Sequence, residues 1–233
     1  MNADTIRPSL RLAATLLLAG QLLYIVITQF HTGGEANDHP AIFAAYAASG
    51  TWTAVHAGQF AAMAILLAGL VVLALAADVQ DAGTVWAGRF SAAAAVTALA
   101  LYGGLQAVDG VANKRADVAW LNAPEGEQAA RFASAEAIRW IEWGLRSYHD
   151  YALGLALLLL GFAVMRAPWA SRLAGALVVL SGLIYLGQGW VAGVEGFSAT
   201  QSIAIVAAWV VSVIWMVWLA VLARRLPEPA APS

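Results

Sequence analysis

The chain has no cysteine and a single lysine, Lys114. The absence of thiols excludes disulfides, thiolate metal sites, thiol redox chemistry and covalent attachment of haem. One lysine, at a net charge of −2, leaves no polybasic patch for anionic lipid headgroups, and nothing indicates a nucleic-acid partner. Because Lys114 lies outside every long apolar run, no lysine is placed to form a retinal Schiff base.

Charge of either sign is scarce. Charged residues make up 11% of the sequence, against about 25% in an average soluble domain. Hydrophobic residues make up 61%, and the mean hydropathy is +0.73. Such a chain cannot cover a water-exposed surface with polar groups, so its expected partner is a lipid bilayer. A Gly-x-Ser-x-Gly nucleophile elbow and a phosphate-binding P-loop are also missing from the sequence.

Six runs are apolar enough to cross a membrane as helices, which takes about 20 residues each. They are Arg11–Phe30, Thr53–Ala77, Phe90–Asp109, Ile141–Met165, Ala170–Val191 and Thr200–Ala223. The sequence therefore predicts an all-α, polytopic transmembrane helical bundle with six spans. We expect residues 1–226 to form one domain, and the Pro- and Ala-rich residues 227–233 to form a disordered tail.

Lys and Arg in the short flanks of the spans indicate the orientation, because cytoplasmic loops carry an excess of both. The first and fifth loops have neither residue. The opposite side collects Arg7, Arg11, Arg89, Arg166, Arg172, Arg224 and Arg225. The third loop carries Lys114, Arg115 and Arg131, but longer translocated segments weigh less in this rule. We therefore expect a multi-pass protein of the cell membrane with both termini cytoplasmic.

Helix signals in the outer loops predict a short extracytoplasmic helical cap. The sequence Asp38-His39-Pro40 is typical of a helix start, and we expect a short helix over residues 41–48. The third loop is rich in charge, and residues of about 111–138 are expected to form an outer helical subdomain. Within it, span three continues as a polar helix, and another helix begins near Pro124 and runs into span four.

One face of the helix that leads into span four is charged. It carries Arg139, Glu142, Arg146, His149 and Asp150. Charge that faces lipid is costly, so this stripe must meet protein, water or a ligand. Two interpretations stay open. The stripe is either a self-neutralising face packed against the third loop, or the wall of a pocket in which Arg139 and Arg146 bind an anionic ligand.

The predicted topology brings more polar residues to the same outer end of the bundle. The ligand-binding candidates there are Arg139, Arg146, His56, Asp109, Glu142, His149, Asp150, Gln106 and Gln188. The cytoplasmic half of the bundle has almost no ionisable groups, whereas a conduction path is expected to need them in both halves. The pattern therefore indicates an outward-facing polar cup rather than a pore.

His56, His149, Asp109 and Glu142 are candidate ligands for a divalent metal, since neutral imidazole and carboxylate suit zinc, manganese or non-haem iron. Interfacial histidines that only hydrogen-bond to a neighbouring helix are the alternative. Glu142 and His149 are also candidate acid–base catalysts. Bis-histidine haem is disfavoured, because it needs both imidazoles to face each other across an apolar slot.

The first outer loop holds a second group of metal-capable residues, which are His31, Glu35, Asp38 and His39. Neither group has the tight spacing of a motif such as His-Glu-x-x-His. For this second group the alternative is a solvated loop whose polar residues cap helices.

Four segments carry a resemblance to a known family. They are Asn37–Pro40, Val55–Phe60, Leu105–Gly110 and Arg139–Gly144. With these segments the chain resembles, from span one to span six, an uncharacterised domain-of-unknown-function family of six-span integral membrane proteins from high-GC Gram-positive bacteria. That family has no established activity, so the resemblance implies a fold and no catalytic residues.

The leading hypothesis from the sequence is an accessory membrane protein, in transport or sensing, that binds a small anionic or amphipathic molecule in the outer cup. One alternative is a membrane-embedded enzyme with a His/carboxylate site, either metal-bound or acid–base, at the outer leaflet. Another is a membrane scaffold or assembly partner. The sequence leaves open the ligand, the oligomeric state and whether the protein is an enzyme.

Overall fold

The computed structural model of the chain describes residues 3–35, 37–77 and 81–225, which form helices and no strand. The helices are α1 (Ala3–Thr28), α2 (His39–Ala48), α3 (Trp52–Ala76), α4 (Ala82–Ala107), α5 (Lys114–Leu121), α6 (Glu125–Arg166), α7 (Arg172–Glu195) and α8 (Ala199–Arg225). A π-helical segment, Val108–Asn113, joins α4 to α5. The predicted all-α class is confirmed, whereas the predicted tail 227–233 lies outside the described residues.

Six of these helical stretches are long and apolar enough to cross a membrane. They are Ile6–Thr28, Trp52–Ala76, Ala82–Leu121, Glu125–Arg166, Arg172–Glu195 and Ala199–Arg225. The predicted count of six is confirmed. α6 has 42 residues, and at about 1.5 Å per residue it is about 63 Å long. That is about twice the hydrocarbon thickness of a bilayer, so α6 extends well beyond it, as the pattern from Pro124 onwards predicts.

The six long helices close into a ring in chain order. α1 packs on α3, α3 on α4, α4 on α6, α6 on α7 and α7 on α8, and α8 returns to α1. Buried leucines such as Leu17, Leu70 and Leu160 fill part of the interior. Large apolar side chains such as Ile203, Val206 and Val210 of α8 are exposed on the outside, where lipid would cover them.

The spans α6 and α7 approach each other closely. The small residues Ser147, Gly154 and Gly161 recur every seven positions on α6, and Gly175, Gly182 and Gly189 do so on α7. A Cβ atom added at Gly182 would lie 2.8 Å from the carbonyl oxygen of Gly154. The hydroxyl of Ser147 donates to the carbonyl oxygen of Gly189 at 2.7 Å. Small residues let the two backbones touch, which is how helices associate where lipid removes the hydrophobic drive.

The short helix α2 covers one end of the ring. Asp38 caps its first turn by accepting from the amide of Ala41, and Pro40 lies at the helix start, as predicted. Lys114 binds the C-terminus of α2, because its ammonium group donates to the carbonyl oxygens of Tyr46, Ala47 and Ser49 at 2.7 Å each. This satisfies carbonyls that a helix C-terminus leaves without partners. We call this the cavity end, formed by residues 29–35, 37–51, 108–124 and 196–198.

Candidate functional site

A cavity of about 290 Å³ lies inside the ring at the cavity end. Its walls come from α1, α2, α3, α4, α6 and α8, from the π-helical segment and from the loop after α1. Some of the lining side chains are polar or charged, namely Gln59, Gln106, Asp109, Arg139, Glu142 and Arg146. The remainder is largely aromatic or aliphatic, with Tyr24, Ile42, Tyr46, Tyr102, Leu105, Phe197, Ile205 and Trp209. The cavity is therefore amphipathic.

The charged stripe of α6 faces the interior of the ring and not the lipid. All five side chains are buried, at 9% exposure for Arg146 and 2% or less for the others. Arg139, Glu142 and Arg146 border the cavity, whereas His149 and Asp150 lie outside its lining. The first three residues of the stripe therefore face the cavity, and the last two are packed against other parts of the protein.

Two arginine–carboxylate pairs hold the stripe together. Arg139 donates to Glu142 at 2.6 Å, and Arg146 donates to Asp150 at 3.0 Å. Arg146 also donates to the hydroxyl of Tyr24 at 3.4 Å and to the side-chain oxygen of Gln188 at 3.3 Å. The stripe forms the ion pairs expected of a self-neutralising face, and it also borders a cavity, as expected of a pocket wall. Features of both interpretations therefore occur together.

The π-helical segment explains how Asp109 reaches the stripe. A π-helix leaves backbone groups without their usual α-helical partners, and such segments often occur at functional sites. The indole of Trp52 donates to the carbonyl oxygen of Asp109 at 2.8 Å. The amide of Asn113 donates to Glu142 at 2.6 Å and to the Asp109 carboxylate at 3.3 Å. Asn113, which the sequence analysis did not single out, therefore bridges two carboxylates.

His56 lies against Asp109, just outside the lining of the cavity. Its Nε2 is 2.9 Å from Asp109 Oδ2, and its Nδ1 donates to the carbonyl oxygen of Trp52 at 2.7 Å. His31, from the loop after α1, brings its Nε2 to 3.9 Å from the same Asp109 oxygen. One ligand atom from each of these three residues lies within 4.8 Å of the others, as a metal site requires.

His149 lies in a different place. Its Nδ1 donates to the carbonyl oxygen of Ala98 at 2.9 Å, and its ring packs on Tyr102 with centroids 4.8 Å apart. Its Nε2 is 4.0 Å from Asp150, inside the packed part of the bundle. Among the described residues, the metal-capable group includes neither His149 nor Glu142. Catalysis by Glu142 or His149 stays a prediction.

The two glutamines have different roles. Gln106 lines the cavity directly. Gln188 is buried beneath it, accepting from Arg146 and donating to the carbonyl oxygen of Ala204 at 3.3 Å. Gln188 therefore positions Arg146 and links α7 to α8.

The second metal-capable group of the sequence analysis is dispersed. His39 Nδ1 is 2.9 Å from a carboxylate oxygen of Glu136, and Asp38 caps α2. Glu35 is exposed, and His31 turns towards His56. In the sequence, only one feature indicated that His31 is close to His56: both residues are predicted at the outer ends of neighbouring spans.

Asp117 is a further charged residue that the sequence analysis placed in a polar loop. It is fully buried, and neither carboxylate oxygen has a hydrogen-bond partner among the described residues. It lies near enough to Arg139 and Lys114 to interact with their charges. Tyr46, on α2, shares this polar region, and burial raises the pKa of its hydroxyl above the ordinary value, so it remains a neutral group at the cavity.

No protein-family model matches this chain, and neither do curated proteins or solved structures. The resemblance to a six-span family of unknown function stays a prediction.

Proposed function

We propose that this integral membrane protein binds a small amphipathic molecule with an anionic group in the cavity, as a receptor or accessory protein in transport or sensing. The observation that carries the proposal is the cavity itself. It is lined by five of the six spans and by α2, with charged and polar side chains as well as aromatic and aliphatic ones. A ligand with a charged head and a short apolar tail would satisfy both kinds of side chain.

Arg146 is the group best placed to bind the anionic end. Its bonds to Asp150, Tyr24 and Gln188 use three of the five N–H groups of a guanidinium. The contacts to Tyr24 and Gln188, at 3.4 and 3.3 Å, are long and therefore easily exchanged for a carboxylate or phosphate oxygen. Arg139, two turns earlier on α6, provides a second positive charge that borders the same cavity.

The size of the cavity limits the ligand. A volume of about 290 Å³ is near the lower end of ligand pockets and equals about ten waters of the liquid. Below the cavity, the interior between α1, α3, α4 and α6 is packed with apolar side chains such as Leu17, Leu70, Leu153 and Leu160. This packing favours a cup that binds its ligand over a pore that conducts it.

The proposed location is the cell membrane, with the termini in the cytoplasm and the cavity opening outwards. The support is the distribution of Arg and Lys in the loops. An enzyme and a scaffold remain the alternatives. The enzyme is less favoured because His149, one of its two candidate acid–base groups, lies outside the cavity lining.

The test uses two neighbouring residues of α8. Ile205 lines the cavity, and Val206 is exposed on the outside of the ring. Ile205→Trp would fill part of the cavity, whereas Val206→Trp adds the same side chain towards lipid. Binding of hexanoate and hexyl phosphate to the purified protein in nanodiscs is measured by calorimetry, with hexanol as the uncharged comparison.

We expect wild type and Val206→Trp to bind both anions more tightly than hexanol, and Ile205→Trp to bind them at least tenfold more weakly. Equal binding by the two tryptophan variants would contradict the cavity as the binding site. Equal binding of hexanol and the anions would contradict the role of the arginines.

A further inference from the structure

We propose that His31, His56 and Asp109 bind one divalent transition-metal ion at the wall of the cavity. The three residues come from the loop after α1, from the start of α3 and from the π-helical segment. Asp109 Oδ2 lies 2.9 Å from His56 Nε2 and 3.9 Å from His31 Nε2. Zinc–ligand bonds of about 2.0–2.2 Å place tetrahedral ligands about 3.3–3.6 Å apart, so one ion reaches all three after small side-chain shifts.

The hydrogen bonding of His56 prepares its Nε2 for a metal. Nδ1 faces a carbonyl oxygen, that of Trp52 at 2.7 Å, and must therefore carry a hydrogen. In the neutral ring, Nε2 then presents a lone pair, and a metal-bound histidine is usually fixed in this way. Nε2 is buried and lies 2.9 Å from Asp109 Oδ2, yet the pair lacks the geometry of a hydrogen bond. A cation between two such acceptors removes their repulsion.

Asp109 is held in place from two directions. Asn113 donates to its Oδ1, which leaves Oδ2 directed to the histidines, and Trp52 donates to its backbone carbonyl. The segment approaches α3 closely at Gly110, where an added Cβ atom would lie 2.7 Å from the Cβ atom of His56. Trp52 thus fixes both His56 and Asp109, an outer shell of the kind that orients metal ligands.

Buried charge in the described part of the chain also favours a cation. The buried carboxylates are Asp109, Asp117, Glu142 and Asp150. The buried guanidinium groups are Arg139 and Arg146. The buried carboxylates outnumber the buried guanidinium groups, and although Lys114 adds a positive charge near Asp117, the surroundings of Asp109 favour a further cation. Buried charges that lack an opposite charge are costly.

The donor set selects the kind of metal. Two imidazoles and one carboxylate suit zinc or ferrous iron, whereas magnesium and calcium prefer oxygen ligands. Three protein ligands leave a fourth position open, and because His31 and Asp109 both border the cavity, that position faces it. The metal site stands independently of the organic ligand proposed above.

The experiment measures zinc binding to purified protein in nanodiscs after treatment with EDTA. Calorimetry gives the affinity, and elemental analysis after gel filtration gives the stoichiometry. The variants are His31→Gln, His56→Gln and Asp109→Asn. The matched control is His39→Gln, which changes a histidine at the start of α2 that pairs with Glu136 instead.

We expect wild type and His39→Gln to bind one zinc ion per chain, and each of the three variants to bind it at least tenfold more weakly. When cobalt replaces zinc, wild type should show the visible absorption of a tetrahedral site, and the three ligand variants should not. Because His31 lies in a loop, the zinc affinity of His31→Gln is the deciding measurement if His56→Gln or Asp109→Asn does not fold. No zinc binding by folded wild type, or unchanged binding by His31→Gln, overturns the proposal.

Zinc and hexanoate titrations of the same samples separate the two proposals. Ile205→Trp is expected to keep zinc while losing hexanoate, because Ile205 is not a metal ligand. Loss of zinc binding in His31→Gln that is matched in His39→Gln would instead reveal a general disturbance of the loop, which also overturns the site.

Discussion

Arg146 and Asp150 form an ion pair inside the bundle. Asp150 is fully buried, and Arg146 at 3.0 Å is its ion-pair partner. Removal of one member of such a pair leaves a buried charge without compensation, at a cost of about 3–5 kcal/mol. A direct test of ligand binding with Arg146→Ala would therefore be confounded by lost stability.

We predict that Arg146→Ala lowers the free energy of unfolding by about 3 kcal/mol or more. The lower part of the range applies because Arg146 borders a cavity that admits water. The double variant Arg146→Met with Asp150→Leu should recover most of that loss, because it removes both charges and keeps the volume filled. Unfolding of the purified proteins in mixed micelles measures both values. A double variant less stable than Arg146→Ala would contradict the prediction.

At the scale of elements, α6 and α7 are held together by small residues in register. Gly161 faces Gly175, Gly154 faces Gly182 and Ser147 faces Gly189, so the contact repeats three times along two antiparallel helices. Two opposed effects decide what an added methyl group does. Alanine favours a helix over glycine by about 1 kcal/mol, whereas overpacking costs about 1–3 kcal/mol.

The balance predicts opposite signs at two glycines of α7. Gly182→Ala should destabilise the protein, because the new Cβ atom would lie 2.8 Å from the backbone oxygen of Gly154, which cannot move without the helix. Gly187→Ala should be neutral or stabilising, because nothing lies within 4 Å of its Cβ position. The same unfolding assay compares them. Equal effects at both positions would argue against close backbone packing.

The helices were largely predictable from the sequence, whereas the candidate site was predictable only in part. Long apolar runs and the Asp38–Pro40 helix start depend on local pattern, which is why six spans and α2 are found near their predicted places. The pairing of His31 with Asp109 depends on how α1 and α3 pack, and no local pattern encodes it. The same holds for the burial of Asp117, because the sequence places it only in a polar helix of the third loop.

At the scale of the whole molecule, the ring places unlike chemistry at its two ends. The buried carboxylates and histidines lie in the cavity end or in the parts of the spans next to it, and the other end holds the seven arginines of the span flanks. Lys114, Arg115 and Arg131 of the third loop conflict with this asymmetry, but the ammonium group of Lys114 is occupied by the carbonyl oxygens of Tyr46, Ala47 and Ser49. A charge engaged in the fold in this way says less about topology than one in a flexible loop.

The distribution predicts that the cavity end lies outside the cell. The chain contains no cysteine, so single-cysteine variants report one position each without a background substitution. Gly50 is exposed at the cavity end with open space around its Cβ position, and Ala82 is exposed at the start of α4 at the other end. A membrane-impermeant maleimide should label Gly50→Cys in intact cells, and Ala82→Cys only after the membrane is opened, because cytoplasmic loops retain arginine. The reverse pattern would place the cavity on the cytoplasmic side, and labelling of both in intact cells would contradict the alternating passage of the spans.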